Sequence, residues 1–152
     1  MTEPLLRVAS FAELDAADLY EILRLRAEVF VVEQNCPYQD LDGRDREAGA
    51  RHVWAADRVG NVLGCLRVLG DPDGVARIGR VVVAPAARGS GLAQRLMTEA
   101  LRLSGDRPVV LSAQAHLAGF YAGFGFVVDG PGFMEDGIPH LPMRRPGLHV
   151  RR

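Results

Sequence analysis

The chain has 152 residues, 48% of them hydrophobic and 24% charged, which is the balance expected of one globular domain over residues 1–152 and not of a disordered segment. Net charge is −1, and all 18 basic residues are arginine. No basic excess points to nucleic acid, and the lack of lysine excludes a P-loop lysine, a Schiff base and self-acetylation on a lysine side chain.

The two cysteines, Cys36 and Cys65, are far apart and form no CxxC pair, so neither a zinc site nor a redox pair is signalled. Met1 to Leu14 lacks an apolar core of signal-peptide length, and no apolar run is long enough to span a membrane. A cytoplasmic protein without metal is expected.

In chain order, residues 5–9 read as a short strand. Asp15 opens a helix whose apolar positions Leu19, Ile22, Leu23, Val29 and Phe30 recur near helical spacing. It should fade near Gln34, because Pro37 biases Cys36 away from helical angles. Residues 35–51 form a long polar connection with Asp40, Asp42, Asp45 and Glu47 among three arginines. A connection of that length in a compact domain is usually functional or mobile.

Residues 52–57 and 62–69 read as a hairpin around Arg58-Val59-Gly60-Asn61. A second turn at Asp71-Pro72-Asp73-Gly74 leads to a strand over 75–84, whose run Val81-Val82-Val83 suits a buried central position. A glycine turn follows Pro85. The next helix puts Leu92, Leu96, Ala100 and Leu103 on one face and stops at Gly105. Then come a strand at 108–113, a short helix at 116–123 and two strands at 125–128 and 141–144, joined by a turn-rich stretch. The order β, α, β, β, β, α, β, α, β, β is an α+β class. The strand–helix–strand unit over residues 78–113 should be parallel and right-handed.

The chemistry concentrates after residue 81. A helix start leaves its first amides unpaired and carries about half a positive charge. Gly89 and Gly91 allow close approach to the backbone, so Arg88, Gly89, Ser90, Gly91, Leu92 and Ala93 form an anion cradle suited to a pyrophosphate. A Walker A turn would need lysine, and a dinucleotide fingerprint would need a third glycine.

Arg88, Gly91 and Ala93 fill the fixed positions of a pattern that resembles the Q/R-x-x-G-x-G/A signature of the GNAT N-acetyltransferase superfamily. Phe120-Tyr121-Ala122-Gly123-Phe124-Gly125-Phe126 resembles that family's FY-x-x-x-GF segment. Further blocks, residues 29–40, 78–81, 113–117 and 135–140, are similar to an ElaA-like subgroup of the family. One departure is Gln114, which stands seven residues before Tyr121 where many members have asparagine.

The resemblance implies a three-layer fold with a mixed central sheet of six to seven strands, a splayed parallel pair and helices on both faces. It implies acetyl-CoA as co-substrate, with its pantetheine arm beside Val81, Val82 and Val83 and near Gln114 and Tyr121. A primary amine on a small molecule or peptide would attack the thioester directly, and Tyr121 would protonate the leaving thiolate. The other reading of Tyr121 is a core aromatic with a satisfied hydroxyl.

No single residue declares itself as the base or the acceptor contact. Glu33, Asp40, Asp42, His116 and His140 compete for the first role. Arg80, a charge inside a central strand, either pairs with a carboxylate of the 35–51 connection or holds an acidic group of the acceptor. The acids of that connection either face a cationic acceptor or are solvated. Homodimers recur in the family, which makes a pair built on the last strands one arrangement open to this chain. A non-catalytic acyl-CoA sensor would keep the glycine turn but have no need of Tyr121.

Overall fold

The computed structural model describes residues 4–147. Strand β1 (Leu6–Ala9) leads to helix α1 (Ala16–Arg26). The helix begins where Asp15 predicts. Its carboxylate accepts from the Asp18 N–H at 2.8 Å and so satisfies one of the orphan amides of the first turn. The helical path continues beyond Arg26, but its winding changes to a π-helical stretch over Ala27–Glu33. There Gln34 N–H donates to Val29 C=O, and Cys36 N–H to Val31 C=O.

The remaining strands are β2 (Arg51–Ala56), β3 (Val62–Asp71), β4 (Val75–Val83), β5 (Val109–Gln114), β6 (Val127–Val128), β7 (Phe133–Glu135) and β8 (Ile138–Arg145). Helix α2 (Leu92–Ser104) follows β4, and α3 (Ala118–Ala122) follows β5. They form one eight-stranded sheet in the order β1-β2-β3-β4-β5-β8-β6, with β7 also paired to β8. The β2–β3 hairpin closes as expected, because the Asp57 carboxylate accepts from the N–H groups of Val59 and Asn61.

The expected six to seven strands become eight because the turn-rich stretch contains β7. Its residues are exposed, so no buried face marks it in the sequence. It is held by pairing with β8 around the Asp136-Gly137 turn, where both residues have positive φ.

The two faces of the sheet are covered by different helices. Leu92, Leu96, Met97 and Ala100 of α2 pack on Val53, Leu66, Val68 and Ile78. Ile22 and Leu25 of α1 pack on Trp54, Cys65 and Val82 from the other side. Alternation along β2 and β3 sends successive side chains to opposite faces, which is why one sheet supplies both cores. Each fully buried aliphatic contributes about 1.5–3 kcal/mol.

The feature that matters most for function is where the sheet opens. Strands β4 and β5 run parallel but pair only at Ala76–Val109 and Arg77–Val110. Just beyond, Cys65 pairs with Val82 while Arg67 pairs with Gly79, so Leu66 of β3 faces two residues, Arg80 and Val81. This is a β-bulge, and Arg80 takes a left-handed φ of 54° within it. The bulge bends β4 away from β5 and leaves a gap between them.

Candidate active site

Two cavities border β4 and α3. The larger, of about 300 Å3, lies within the gap and is lined by Ile78 and Val81 of β4, Leu111 and Gln114 of β5, and Tyr121. The smaller, of about 290 Å3, lies over the glycine turn and is lined by Val83, Arg88, Gly89, Gly91, Ala93 and Phe120. Consecutive residues of α3 thus face different cavities, Phe120 the smaller and Tyr121 the larger. Val83 and Val81 divide in the same way along β4.

The glycine turn has the form an anion needs. Gly89 and Gly91 take φ values of 78° and 86°, a region that other residues enter at a cost, and the space where a side chain would project is open at both. No side chain caps α2, so its first amides are left for a ligand. Ser90 is exposed, and its hydroxyl donates to Ala87 C=O.

The exposed edge of β4 is also available. Ala84 N–H donates to Leu63 C=O at 2.8 Å, so its backbone faces β3. Strand alternation then directs the N–H and C=O of Val83 and Val81 to the other side, toward the gap. Arg88 Nε donates to Val83 C=O at 3.1 Å from that side. The Val82 side chain belongs to the core beneath α1.

Tyr121 is 6% exposed. Its ring packs edge-on against Phe120 and Phe126, with centroids 5.1 and 6.3 Å away. Burial pushes its phenol up to about 12, so it is protonated throughout the neutral range. Among the described residues, its hydroxyl has no hydrogen-bonding partner.

The connection over residues 35–51 is tied down by ion pairs. Arg26 on α1 binds Asp40 at 2.9 Å and Asp45 at 2.8 Å. Arg67 binds Asp42 at 2.6 Å and Asp45 at 3.0 Å. Arg80 Nε lies 2.8 Å from Asp40 Oδ1 at an angle poor for a hydrogen bond, while its Nη2 donates to Asp40 C=O at 3.0 Å. Its guanidinium also sits 5.2 Å over the Tyr38 ring.

Hydrogen bonds from Arg67 hold the Asp42 carboxyl well below the usual carboxylate range. Burial pushes the Asp45 carboxyl up, but hydrogen bonds from Arg26 and Arg67 outweigh it and leave it lowered. Arg80 is therefore placed by carboxylates of the connection, and Asp40 is buried between Arg26 and Arg80. Arg26 and Arg67 were not singled out from the sequence. Arg26 does stand four residues after Ile22 on the core-facing side of its helix, and Arg67 interrupts an apolar strand, which are the visible signs of buried charge.

The other sequence candidates separate. His140 is buried and lines the larger cavity, with Nδ1 2.7 Å from Ile138 C=O and its ring stacked on Phe133. A carbonyl can only accept, so Nδ1 carries the proton and Nε2 is left as the acceptor of the neutral ring. His116 is exposed and lines neither cavity. Glu33 also lines neither; it forms a two-pronged pair with Arg88 at 2.7 and 2.8 Å. Gln114 lines the larger cavity, 3.4 Å from the Gln34 amide. Among the described residues, no three His, Cys, Asp or Glu side chains are grouped to hold a metal ion, and no helix is long and apolar enough to cross a membrane.

This opened sheet with an uncapped glycine turn beside it defines an acyltransferase of the GNAT type. The chain belongs to that family, since residues 15–146 match the model of the acetyltransferase (GNAT) domain. A UPF0039 protein of Mycobacterium tuberculosis is 51% identical over 150 residues, covering 97% of this chain and 96% of the relative. Protein ElaA of Escherichia coli is 45% identical over 140 residues, covering 88% and 91%. The crystal structure of an acyl-CoA N-acyltransferase from Pseudomonas aeruginosa is similar at a TM-score of 0.89 and 45% identity, covering 94% of this chain and 99% of that one.

Proposed function

We propose that the protein transfers an acetyl group from acetyl-CoA to a primary amine on a small molecule or peptide. The observation that carries this reading is that neighbouring residues line the two cavities, Phe120 and Val83 the smaller, Tyr121 and Val81 the larger. In this reading the diphosphate sits on the amides that open α2, where the helix end carries partial positive charge. The pantetheine arm then lies along β4 and pairs with the outward backbone groups of Val83 and Val81 as an added strand. A backbone N–H there polarises the thioester carbonyl, and Gln114 lies at the far side of the same gap.

The amine nitrogen attacks the carbonyl carbon. A C–N bond forms as the C–S bond breaks, and the departing sulfur takes the phenolic proton of Tyr121. The proton shed by the amine balances that transfer, and Nε2 of His140 is the acceptor the cavity offers for it. On the cavity wall Arg67 pairs with Asp42, Arg80 with Asp40 and Arg77 with Asp71, while Arg44 pairs with Glu47 and shares Asp71. Glu135 and Asp136 line the same cavity and form no salt bridge among the described residues. The negative charge left over favours a cationic amine as acceptor.

The test is acetyl transfer to a panel of amines, read as released thiol. Tyr121→Phe should lower kcat by roughly 10²- to 10⁴-fold and leave the Kd for CoA unchanged. A wild-type protein that binds CoA but turns over none of the amines would count against the enzyme and toward an acyl-CoA sensor, and a Tyr121→Phe variant with full activity would remove Tyr121 as the acid.

A further inference from the structure

The pair formed by Glu33 and Arg88 has no role in the steps above, and its position is unusual. Glu33 ends the π-helical stretch, while Arg88 borders the glycine turn and lines its cavity. Both Nη atoms of Arg88 are held by Glu33, and its Nε by Val83 C=O. The fork that faces the turn is thus committed to a carboxylate. The next residue, Gln34, reaches Gln114 at the end of β5. Two consecutive residues therefore cross from the helical layer to both sides of the opened sheet, Glu33 to the end of β4 and Gln34 to the end of β5.

A diphosphate on the turn would place negative charge beside the Glu33 carboxylate and compete for the same guanidinium. Arg binds either group through the same two-pronged geometry. We propose that Glu33 is a positioning residue of the cofactor site, which holds Arg88 in the free protein and yields it to the diphosphate. The exchange releases the end of the segment that carries Phe30 and Gln34, both of which line the larger cavity. Cofactor binding thereby adjusts the acceptor wall. This inference rests on the acetyl-CoA reading.

Calorimetry with CoA and with S-acetyl-pantetheine, which lacks the diphosphate, separates the possibilities. Both partners are more than 40% exposed, so the effect is modest. Glu33→Gln should tighten CoA binding by about two- to five-fold and leave S-acetyl-pantetheine unaffected, while Arg88→Gln should weaken CoA alone. A merely structural pair would move both ligands together. Wild type that binds CoA, with Glu33→Gln unchanged or weaker, would overturn the role of Glu33 and leave the acetyl-CoA reading standing. Wild type with no affinity for CoA would overturn both.

Discussion

At the scale of single residues, Tyr121 carries the heaviest claim, and its burial makes that claim testable by pH. The phenol is raised from 10.0 to about 12 because the surrounding core disfavours its charge. A raised value in the folded state means that the folded chain holds this proton more tightly than the unfolded one. The corresponding stability is complete below pH 10 and is lost as pH rises through 12. Denaturation curves between pH 9 and 11.5 should therefore fall less steeply for Tyr121→Phe than for wild type. In turnover, kcat should show no alkaline decline attributable to Tyr121 below about pH 11; a decline near pH 9 that Tyr121→Phe removes would contradict the raised value for its phenol.

The sequence marked Tyr121, Gly91 and Gln114 because spacing within two short segments is preserved in the chain itself. It could not rank the carboxylates and histidines, since their worth depends on neighbours distant in sequence. Glu33 and Arg88 are 55 residues apart, and Asp40 meets Arg80 only because a bulge turns that arginine toward the connection.

At the scale of elements, the connection over residues 35–51 and β4 hold each other in place. Three arginines from α1, β3 and β4 meet Asp40, Asp42 and Asp45 of the connection. Exposed pairs contribute little, but breaking a buried one leaves carboxylates uncompensated. Arg26→Met should therefore lower the unfolding free energy by about 3–5 kcal/mol at pH 7. Asp42 and Asp45 titrate below their ordinary value of 3.8, so wild-type stability is present above that value and is lost as pH falls through the lower folded values. The gap between wild type and Arg26→Met should narrow as the pH drops from 5 to 3, which urea titrations would show. An unchanged gap would mean that the methionine variant loses packing and not charge compensation.

Here the sequence was partly legible. The helix start at Asp15, the hairpin turn at Asp57 and the stop at Gly105 each rest on one local hydrogen bond or one positive φ, and such features are local by nature. The π-helical winding over Ala27–Glu33 and the short β7 were not legible. Apolar spacing does not distinguish α from π turns, and β7 is specified by pairing with β8 and not by its own pattern.

At the scale of the molecule, the fold converts one backbone irregularity into a binding site. The bulge at Arg80 ends the pairing of β4 with β5, and the turn after β4 presents the uncapped start of α2 at the mouth of the gap. The helices on the two faces keep both features fixed, α2 from one side and α1 from the other. The order of elements and the parallel unit around α2 could be read from hydrophobic periodicity, because burial imposes that periodicity on strands and helices alike. The opening is not in that periodicity, since it depends on a one-residue register change between β3 and β4, and only the family resemblance led to a splayed pair being expected.

The central claim, that this opening and turn form an acetyl-CoA site, is tested most directly by calorimetric titration of acetyl-CoA into wild type and Ala93→Glu. Ala93 lies in the first turn of α2 and borders the smaller cavity. A glutamate there suits the helix start and needs no positive φ, yet sets a negative charge where the diphosphate should bind. Micromolar binding by wild type, lost in a variant that melts at the same temperature, is the predicted result. Equal binding by both proteins would contradict the account, because the cofactor would then lie elsewhere.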